Sequence, residues 1–431
     1  MLRGELKEIM VRREAEVKQK ILFIVSTTSQ AELFGTIGSE LPNWDILAIN
    51  INGNLSKRVG IGRVLQRLNL PYETAETPSR RKAKKIIKEV QPDIVVVGHD
   101  IEPEQRIFVG SANSMGIPTL LVQDGIWLAS KELDKTSSFR LWVNYWLYLP
   151  LRLFRFIKNR DYSCNQKIEI LWLELRYGAK GRKLGLYGHG ECSKMAVFSN
   201  AVKELRVSEG IEPERIVVTG SPKFDEVFNY RKVDCKQRIC EQWGIPQEHE
   251  IITLLTQNFV DYWGVEQTRK FVLTIAKVTM SLPNTKLIIK VHPVEFEDEY
   301  HKIVKELDFP PIICKNTILP ELLGASSLII TVSSTVAIEA MAAEKPVMIV
   351  NLFDEPWPLF YKGSGAMYVD REEDILPAVK KALFDPQARE EMRTATEKFV
   401  YEQAHLQDGQ ASQRIADLIL SMSTNQNPHK V

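Results

Sequence analysis

The sequence predicts an α/β protein built from two doubly wound domains, each a mainly parallel sheet covered by helices on both faces. Three observations predict it. Short runs that are apolar at nearly every position, beginning with Lys20–Val25, recur along the chain. Segments of helix length separate them. The rhythm pauses over the polar, breaker-containing stretch 226–250 and then restarts at Ile251. A strand that is apolar on both faces needs cover on both faces, which is the habit of parallel sheets. With 431 residues there is length for two full cores.

Taken in order, residues 6–19 read as a charged helical lead-in. Lys20–Val25 is the first strand, and it ends in the polar loop Ser26-Thr27-Thr28-Ser29. Strands follow at Asp45–Asn50, Ile94–Val97 and Thr119–Val122, alternating with helices at Arg80–Val90 and 104–115, and then at 195–198 and Ile216–Val218. The second series runs through 251–255, 286–291, 311–314, Leu328–Thr331 and Val347–Val350. The expected division is a first domain over 1–230, interrupted by an insertion at 137–185, and a second over 231–385. Polar helices over 386–431 are expected to return toward the first domain. In such an architecture a ligand is expected where strand ends of the two domains face a cleft.

Composition narrows the partners. Hydrophobic residues make up 44% and charged residues 26%, an ordinary globular balance, and the formal net charge of +1 removes the electrostatic case for nucleic acid. Cys164, Cys192, Cys235, Cys240 and Cys314 are scattered without metal-ligand spacing, so reduced thiols are expected, with no disulfide framework and no metal site. The N-terminus lacks the apolar core of a signal peptide, and no run reaches the roughly 18 apolar residues of a membrane span. A cytoplasmic protein is therefore expected. Residues 137–162 interleave Trp142, Tyr145, Trp146, Tyr148, Phe154 and Phe156 with Arg140, Arg152, Arg155, Lys158 and Arg160 and hold no acid before Asp161. That pattern suits a segment lying at a membrane surface on the inner face of the cell membrane. It suits equally a helical pair packed on the domain or at a dimer contact.

Chemistry is expected at the strand ends. In the second domain these carry Thr256, Gln257 and Asn258, then Lys290 with His292, then Ser333, Ser334 and Thr335 with Glu339 just inside the next helix. Hydroxyls and amides at a helix start suit phosphate oxygens, and Glu339 suits a ribose diol. Taken singly, Ser333-Ser334 reads equally as a helix cap and His292 as a buried histidine; their joint occurrence at neighbouring strand ends is what points to a site. In the first domain Gln123-Asp124-Gly125 follows a strand, so Asp124 is placed as a general base, although Asp-Gly is also a common turn pair. His189, between Gly188 and Gly190, is a second candidate base. His99-Asp100 is a third polar strand end, and Thr219-Gly220-Ser221-Pro222 with Asp225 reads mainly as a structural turn. No GxxxxGK[ST], no GxGxxG after the first strand and no GxSxG occurs, which removes support for kinase, dinucleotide and hydrolase readings.

On His292-Pro293, Ser333-Ser334-Thr335 with Glu339, the following Glu344-Lys345-Pro346-Val347, Gly220 through Asp225, and the closing stretch from Asp408, the chain resembles the GT-B superfamily of nucleotide-sugar enzymes. Within it the chain looks most like the surface-polysaccharide branch that includes polysialyltransferases, Kdo transferases and CDP-glycerol glycerophosphotransferases. The resemblance implies two Rossmann-like domains, with donor phosphates bound at His292, Ser333 and Ser334. It implies Asp124 as general base, with Gln123 standing where bacterial sialyltransferases carry a first acid. It further implies a metal-independent transferase using a CMP-, CDP- or UDP-linked sugar, with no other cofactor, and a glycan or lipid-linked acceptor at a membrane. UDP-N-acetylglucosamine 2-epimerase is a sister resemblance. There Gly98-His99-Asp100, Val122-Gln123-Asp124-Gly125 and Ser333-Ser334-Thr335 replace that enzyme's usual motifs, and these substitutions weigh against epimerisation. A non-catalytic nucleotide-sugar-binding subunit is the remaining alternative.

Overall fold

The computed structural model describes residues 18–51, 60–75, 79–101, 103–125, 167, 171–172 and 187–424. The aromatic, basic segment 137–162 lies outside them, as does the expected insertion at 137–185 except for Lys167, Leu171 and Trp172. The lead-in expected over 6–19 also lies outside them but for its last two residues.

The described chain forms two compact units, each α/β with a parallel sheet, as the sequence predicts. The first takes the described residues up to Val197, then Lys203–Val217 and the chain from Ser412 onward. Its strands are β1 (Lys20–Val25), β2 (Asp45–Asn50), β3 (Tyr72–Thr74), β4 (Ile94–Val97), β5 (Thr119–Val122), β6 (Lys194–Val197) and β7 (Ile216–Val218), in the spatial order β3-β2-β1-β4-β5-β6-β7. From β3 to β6 every pair is parallel. β1 holds the centre, and all of its residues except Lys20 are fully buried. The helix Thr28–Ser39 follows at once because the Thr27 side chain caps it, accepting the Gln30 amide at 3.1 Å. Its Leu33, Phe34 and Ile37 face the sheet, where the Phe34 ring stacks on Phe23 with centroids 4.6 Å apart. Burying a side chain such as Phe34 contributes roughly 1.5–3 kcal/mol. The last helix, Ala411–Thr424, sends Ile415, Ala416, Ile419 and Met422 into this same core.

The second unit takes Phe198–Val202 and Val218–Ala411. Its strands are β8 (Glu250–Leu255), β9 (Thr285–Lys290), β10 (Ile312–Cys314), β11 (Leu328–Thr331), β12 (Val347–Val350) and β13 (Met367–Val369), ordered β10-β9-β8-β11-β12-β13 and parallel throughout. The stretch 226–250 carries the end of one helix, Pro222–Tyr230, and all of another, Cys235–Trp243. Each buries only one face, so the segment looks polar in sequence; Cys235, Ile239 and Cys240 sit in a small core with Ile251, Ile288 and Leu322. Helix Pro386–Ala404 also belongs to this unit.

In both sheets the strand order reverses beside a central strand, between β1 and β4 in the first and between β8 and β11 in the second. Helices leave to opposite faces at such a point and open a crevice at the strand carboxyl ends. Among the described residues no helix is long and apolar enough to cross a membrane, and no group of three or more His, Cys, Asp or Glu side chains is placed to hold a metal ion.

Candidate functional site

At the reversal point of the second sheet, β9, β8 and β11 lie side by side, so their ends bring His292, Thr256-Gln257 and Ser333 together. Two links do this. The Gln257 side chain bridges to Ser333 through both ends of its amide: Oε1 accepts the Ser333 amide and Nε2 donates to the Ser333 hydroxyl, each at 2.7 Å. The Thr256 hydroxyl accepts the His292 amide at 2.8 Å and donates to the Glu295 carboxylate. Glu295 is buried and also accepts from the Phe259 amide and the Tyr300 hydroxyl, both at 2.7 Å. The His292 loop is thereby tied to the end of the neighbouring strand by one carboxylate with three donors.

His292 itself is half-buried. Burial holds its imidazole below the ordinary value, the Lys290 and Lys315 charges push the same way, and the Glu295 charge opposes them. Its Nδ1 faces the Val294 amide, which donates to it at 3.4 Å. A neutral ring with an accepting Nδ1 carries its proton on Nε2, leaving that edge as a hydrogen-bond donor. Lys290 braces the loop instead of facing the edge. Its Nζ donates to the Lys315 carbonyl at 2.6 Å, and Lys315 in turn donates to the Glu295 carbonyl at 2.6 Å. Burial, first of all, holds the Lys290 ammonium below its usual range.

Ser334 and Thr335 open the seven-residue helix Val336–Ala342. The Ser334 hydroxyl accepts the Val336 amide at 3.3 Å, and its carbonyl accepts the Tyr361 hydroxyl at 2.7 Å. Thr335 is exposed. Glu339 lies in the first turn, half-buried, near enough to Tyr361 that its charge adds to burial in pushing that phenol up. Thr256, Gln257, His292, Ser333 and Ser334 thus share one edge, with Thr335 and Glu339 on the helix that leaves it.

The first sheet builds a second cluster around the ends of β1, β4 and β5. Asp124 is buried and accepts from Gln30 Nε2 at 2.9 Å. Its turn is closed by Gln123, whose side chain donates to the Gly125 carbonyl at 2.8 Å. Behind Gln30 stand Ser26, His99 and Gln105, all buried and mutually hydrogen-bonded. Asp100 is committed elsewhere. One carboxylate oxygen accepts the Gly188 amide at 2.7 Å and the other accepts the Gly190 amide. Gly188 has φ +83° and a Cβ on Gly190 would fall on the Asp100 carboxylate, so only glycine serves at either place. Arg215 closes the same loop by donating to the carbonyls of Gly190 at 3.2 Å and Cys192 at 2.7 Å.

His189, held between those glycines, turns Nε2 toward Glu209 at 3.6 Å, and Glu209 also meets Arg206 at 2.6 Å. Burial raises the Glu209 carboxyl, but the His189 ring beside it and the Arg206 guanidinium, which donates to it, outweigh burial and hold the group below the usual carboxylate range. The two candidate bases therefore sit in different polar groups, Asp124 hydrogen-bonded to Gln30 and His189 beside Glu209. In the second unit Asp225 lies in the first turn of the helix Pro222–Tyr230, not in a connecting turn, and accepts the Ala411 amide at 2.9 Å, a structural role. Motif reading passed over Gln30, Gln105 and Glu295. A sequence signal exists for one of them: Gln30 interrupts the apolar face that Leu33, Phe34 and Ile37 form on its helix, whereas the burial of Glu295 between exposed Val294 and Phe296 shows only in the fold.

Residues 191–420, just over half of the chain, match the family described as UDP-N-acetylglucosamine 2-epimerase. No curated protein is matched by this sequence. Among solved structures, the UDP-GlcNAc 2-epimerase of Neisseria meningitidis bound to UDP-GlcNAc aligns with TM-score 0.60 at 14% identity, covering 94% of this chain and 100% of that one. The S. aureus MnaA–UDP structure aligns with TM-score 0.59 at 16% identity over 94% and 96% of the two chains. A variant of the wall teichoic acid polymerase TagF aligns with TM-score 0.59 at 13% identity over 96% and 90%. At such identities the likeness speaks for the fold: two Rossmann-like α/β domains of GT-B type.

Proposed function

The chain belongs to the UDP-N-acetylglucosamine 2-epimerase family, and from that premise we propose that it is a nucleotide-sugar enzyme that inverts C2 of a UDP-N-acetylhexosamine. The observation that carries this reading is the cluster at the ends of β8, β9 and β11, which lies wholly inside the matched segment. In it the second unit binds the nucleoside diphosphate. The His292 Nε2–H and the Ser333 and Ser334 hydroxyls serve as donors to phosphate oxygens, and Glu339 accepts from the ribose diol. Asp124 is the proton-transfer group. Asp124 takes the C2 proton, the C2–H pair forms a C1=C2 double bond, and the diphosphate leaves C1 with its bonding pair. A proton then adds to the other face of C2 as the diphosphate oxygen bonds again to C1, so the nucleotide sugar alone is the substrate. Sequence motifs placed glycosyl transfer ahead of epimerisation; the family match reverses that order.

Two observations keep transfer as a second reading. Both Asp100 oxygens are bound by backbone amides, and the matched segment begins at residue 191, beyond Asp124. Transfer asks for a single base: Asp124 would take the acceptor hydroxyl proton while the oxygen bonds to C1 and the diphosphate leaves with the bonding pair. This reading adds a membrane-associated glycan or lipid-linked acceptor and, through residues 137–162, a membrane surface. The two separate in one experiment. With UDP-N-acetylglucosamine alone, epimerisation gives the anomeric proton signal of the C2 epimer by ¹H NMR. Transfer leaves the sugar unchanged until an acceptor is added and UDP is released. No conversion under either condition, with no UDP binding, removes both.

A further inference from the structure

Five polar side chains are buried together where β1, β4 and β5 end: Ser26, Gln30, His99, Gln105 and Asp124, each at most 9% exposed. Burying so many polar groups is unfavourable unless they satisfy one another, and here they do so in a fixed order. Gln105 Oε1 accepts the His99 amide at 3.2 Å, which turns its Nε2 the other way, onto Ser26 Oγ at 2.8 Å and Gln30 Oε1 at 3.1 Å. Gln30 Oε1 also accepts the Ser26 amide at 2.8 Å. With its oxygen so held, Gln30 has one direction left for its NH₂, and that is Asp124 Oδ2 at 2.9 Å. Reversing either amide would set oxygen against oxygen or donor against donor at these links.

We propose that Gln30 and Gln105 are positioning residues for Asp124. Gln30 delivers a fixed N–H that favours the ionised carboxylate and sets its orientation, and Gln105 fixes which way the Gln30 amide points. An apolar side chain of the same length would fill the space at Gln30 but supply no donor. The assignment rests on Asp124 being the proton-transfer group. Among the described residues the titratable groups near Asp124 are the Tyr187 phenol and, through Gln30 and Ser26, His99. Burial foremost, then the Asp124 and Asp100 charges, push Tyr187 well up, so it stays protonated and neutral.

The test uses the full chain carrying Gln30→Met, Gln30→Leu or Gln105→Leu, with near-UV circular dichroism to show that each is folded. Two quantities are read: the ¹³C carboxyl titration of Asp124, which needs no activity, and the pH dependence of turnover of UDP-N-acetylglucosamine. Losing a hydrogen bond to the charged form favours the neutral one. In the Gln30 variants the carboxyl titration and the acid limb of kcat therefore move to higher pH. kcat at neutral pH falls about 10- to 100-fold while KM stays within about twofold. Gln105→Leu moves both in the same direction by less. A carboxyl titration unmoved in a folded Gln30 variant overturns the proposal. Asp124→Asn separates the two ideas: if that variant keeps its turnover while the Gln30 titration shift is present, the positioning stands and the functional reading falls.

Discussion

Replacing Glu295 with alanine removes the carboxylate that ties the His292 loop to the end of β8. Thr256, Phe259 and Tyr300 each lose an acceptor in a buried place. The Thr256 hydroxyl still receives the His292 amide and can turn to the Lys290 carbonyl at 3.5 Å, so its loss is small. The Phe259 amide and the Tyr300 hydroxyl, both on buried residues, have no such recourse through Glu295. Leaving a buried donor unmatched costs about 1–3 kcal/mol each, so the variant is expected to lose about 3–5 kcal/mol. For a unit of this size, with 1 kcal/mol worth about 2–4 °C, that is a fall of about 6–20 °C in the melting of the second unit. Glu295→Gln keeps one accepting oxygen for Phe259 and Tyr300 and should lose about 1–2 kcal/mol. Differential scanning calorimetry of the full chain, resolving the transition of the second unit, gives the numbers. If Glu295→Ala melts within about 2 °C of the parent, the three-donor account of the loop is wrong.

Other expectations follow from the same contacts. Gly190→Ala puts a Cβ on the Asp100 carboxylate and should lower stability by about 2 kcal/mol or more, measured by urea unfolding, while Gly210→Ala, with open space around it, tests the strain of a positive φ alone. Gln257→Leu breaks both links to Ser333 and is expected to weaken UDP binding about tenfold by isothermal titration calorimetry. His292 gives a pH dependence whose sign is fixed. Burial, with Lys290 and Lys315, holds it below its ordinary 6.5, so the folded chain binds fewer protons than the unfolded one. The stability it contributes is complete above pH 6.5 and is lost as pH falls through the folded value. His292→Asn should accordingly flatten the decline of the unfolding free energy between pH 7 and pH 5.

The long strands were legible because their chemistry is local. Lys20–Val25, Ile94–Val97 and Leu328–Thr331 are apolar runs that only a sheet covered on both faces can bury. β3 and β13 escaped notice because Tyr72-Glu73-Thr74 and Met367-Tyr368-Val369 carry no run of branched aliphatic residues, whereas the equally short edge strands β7 and β10 open on Ile216-Val217-Val218 and Ile312-Ile313. At the candidate site the residue types at strand ends were readable, but their partners were not. Gln30 reaches Asp124 across 94 residues of sequence, and Asp100 meets its two glycine amides 88 and 90 residues away. Asp100 looked like a third polar strand end and instead serves the loop that carries His189. Such pairings depend on which strands become neighbours, and that is decided by the whole sheet.

Action at C2 of a nucleotide sugar is the central claim. The most direct measurement is the deuterium content at C2 of UDP-N-acetylhexosamine recovered after incubation with the full chain in D₂O. One deuterium at C2, absent when Asp124→Asn is used, is the predicted result. Fully protiated UDP-N-acetylglucosamine recovered from the parent chain would contradict it.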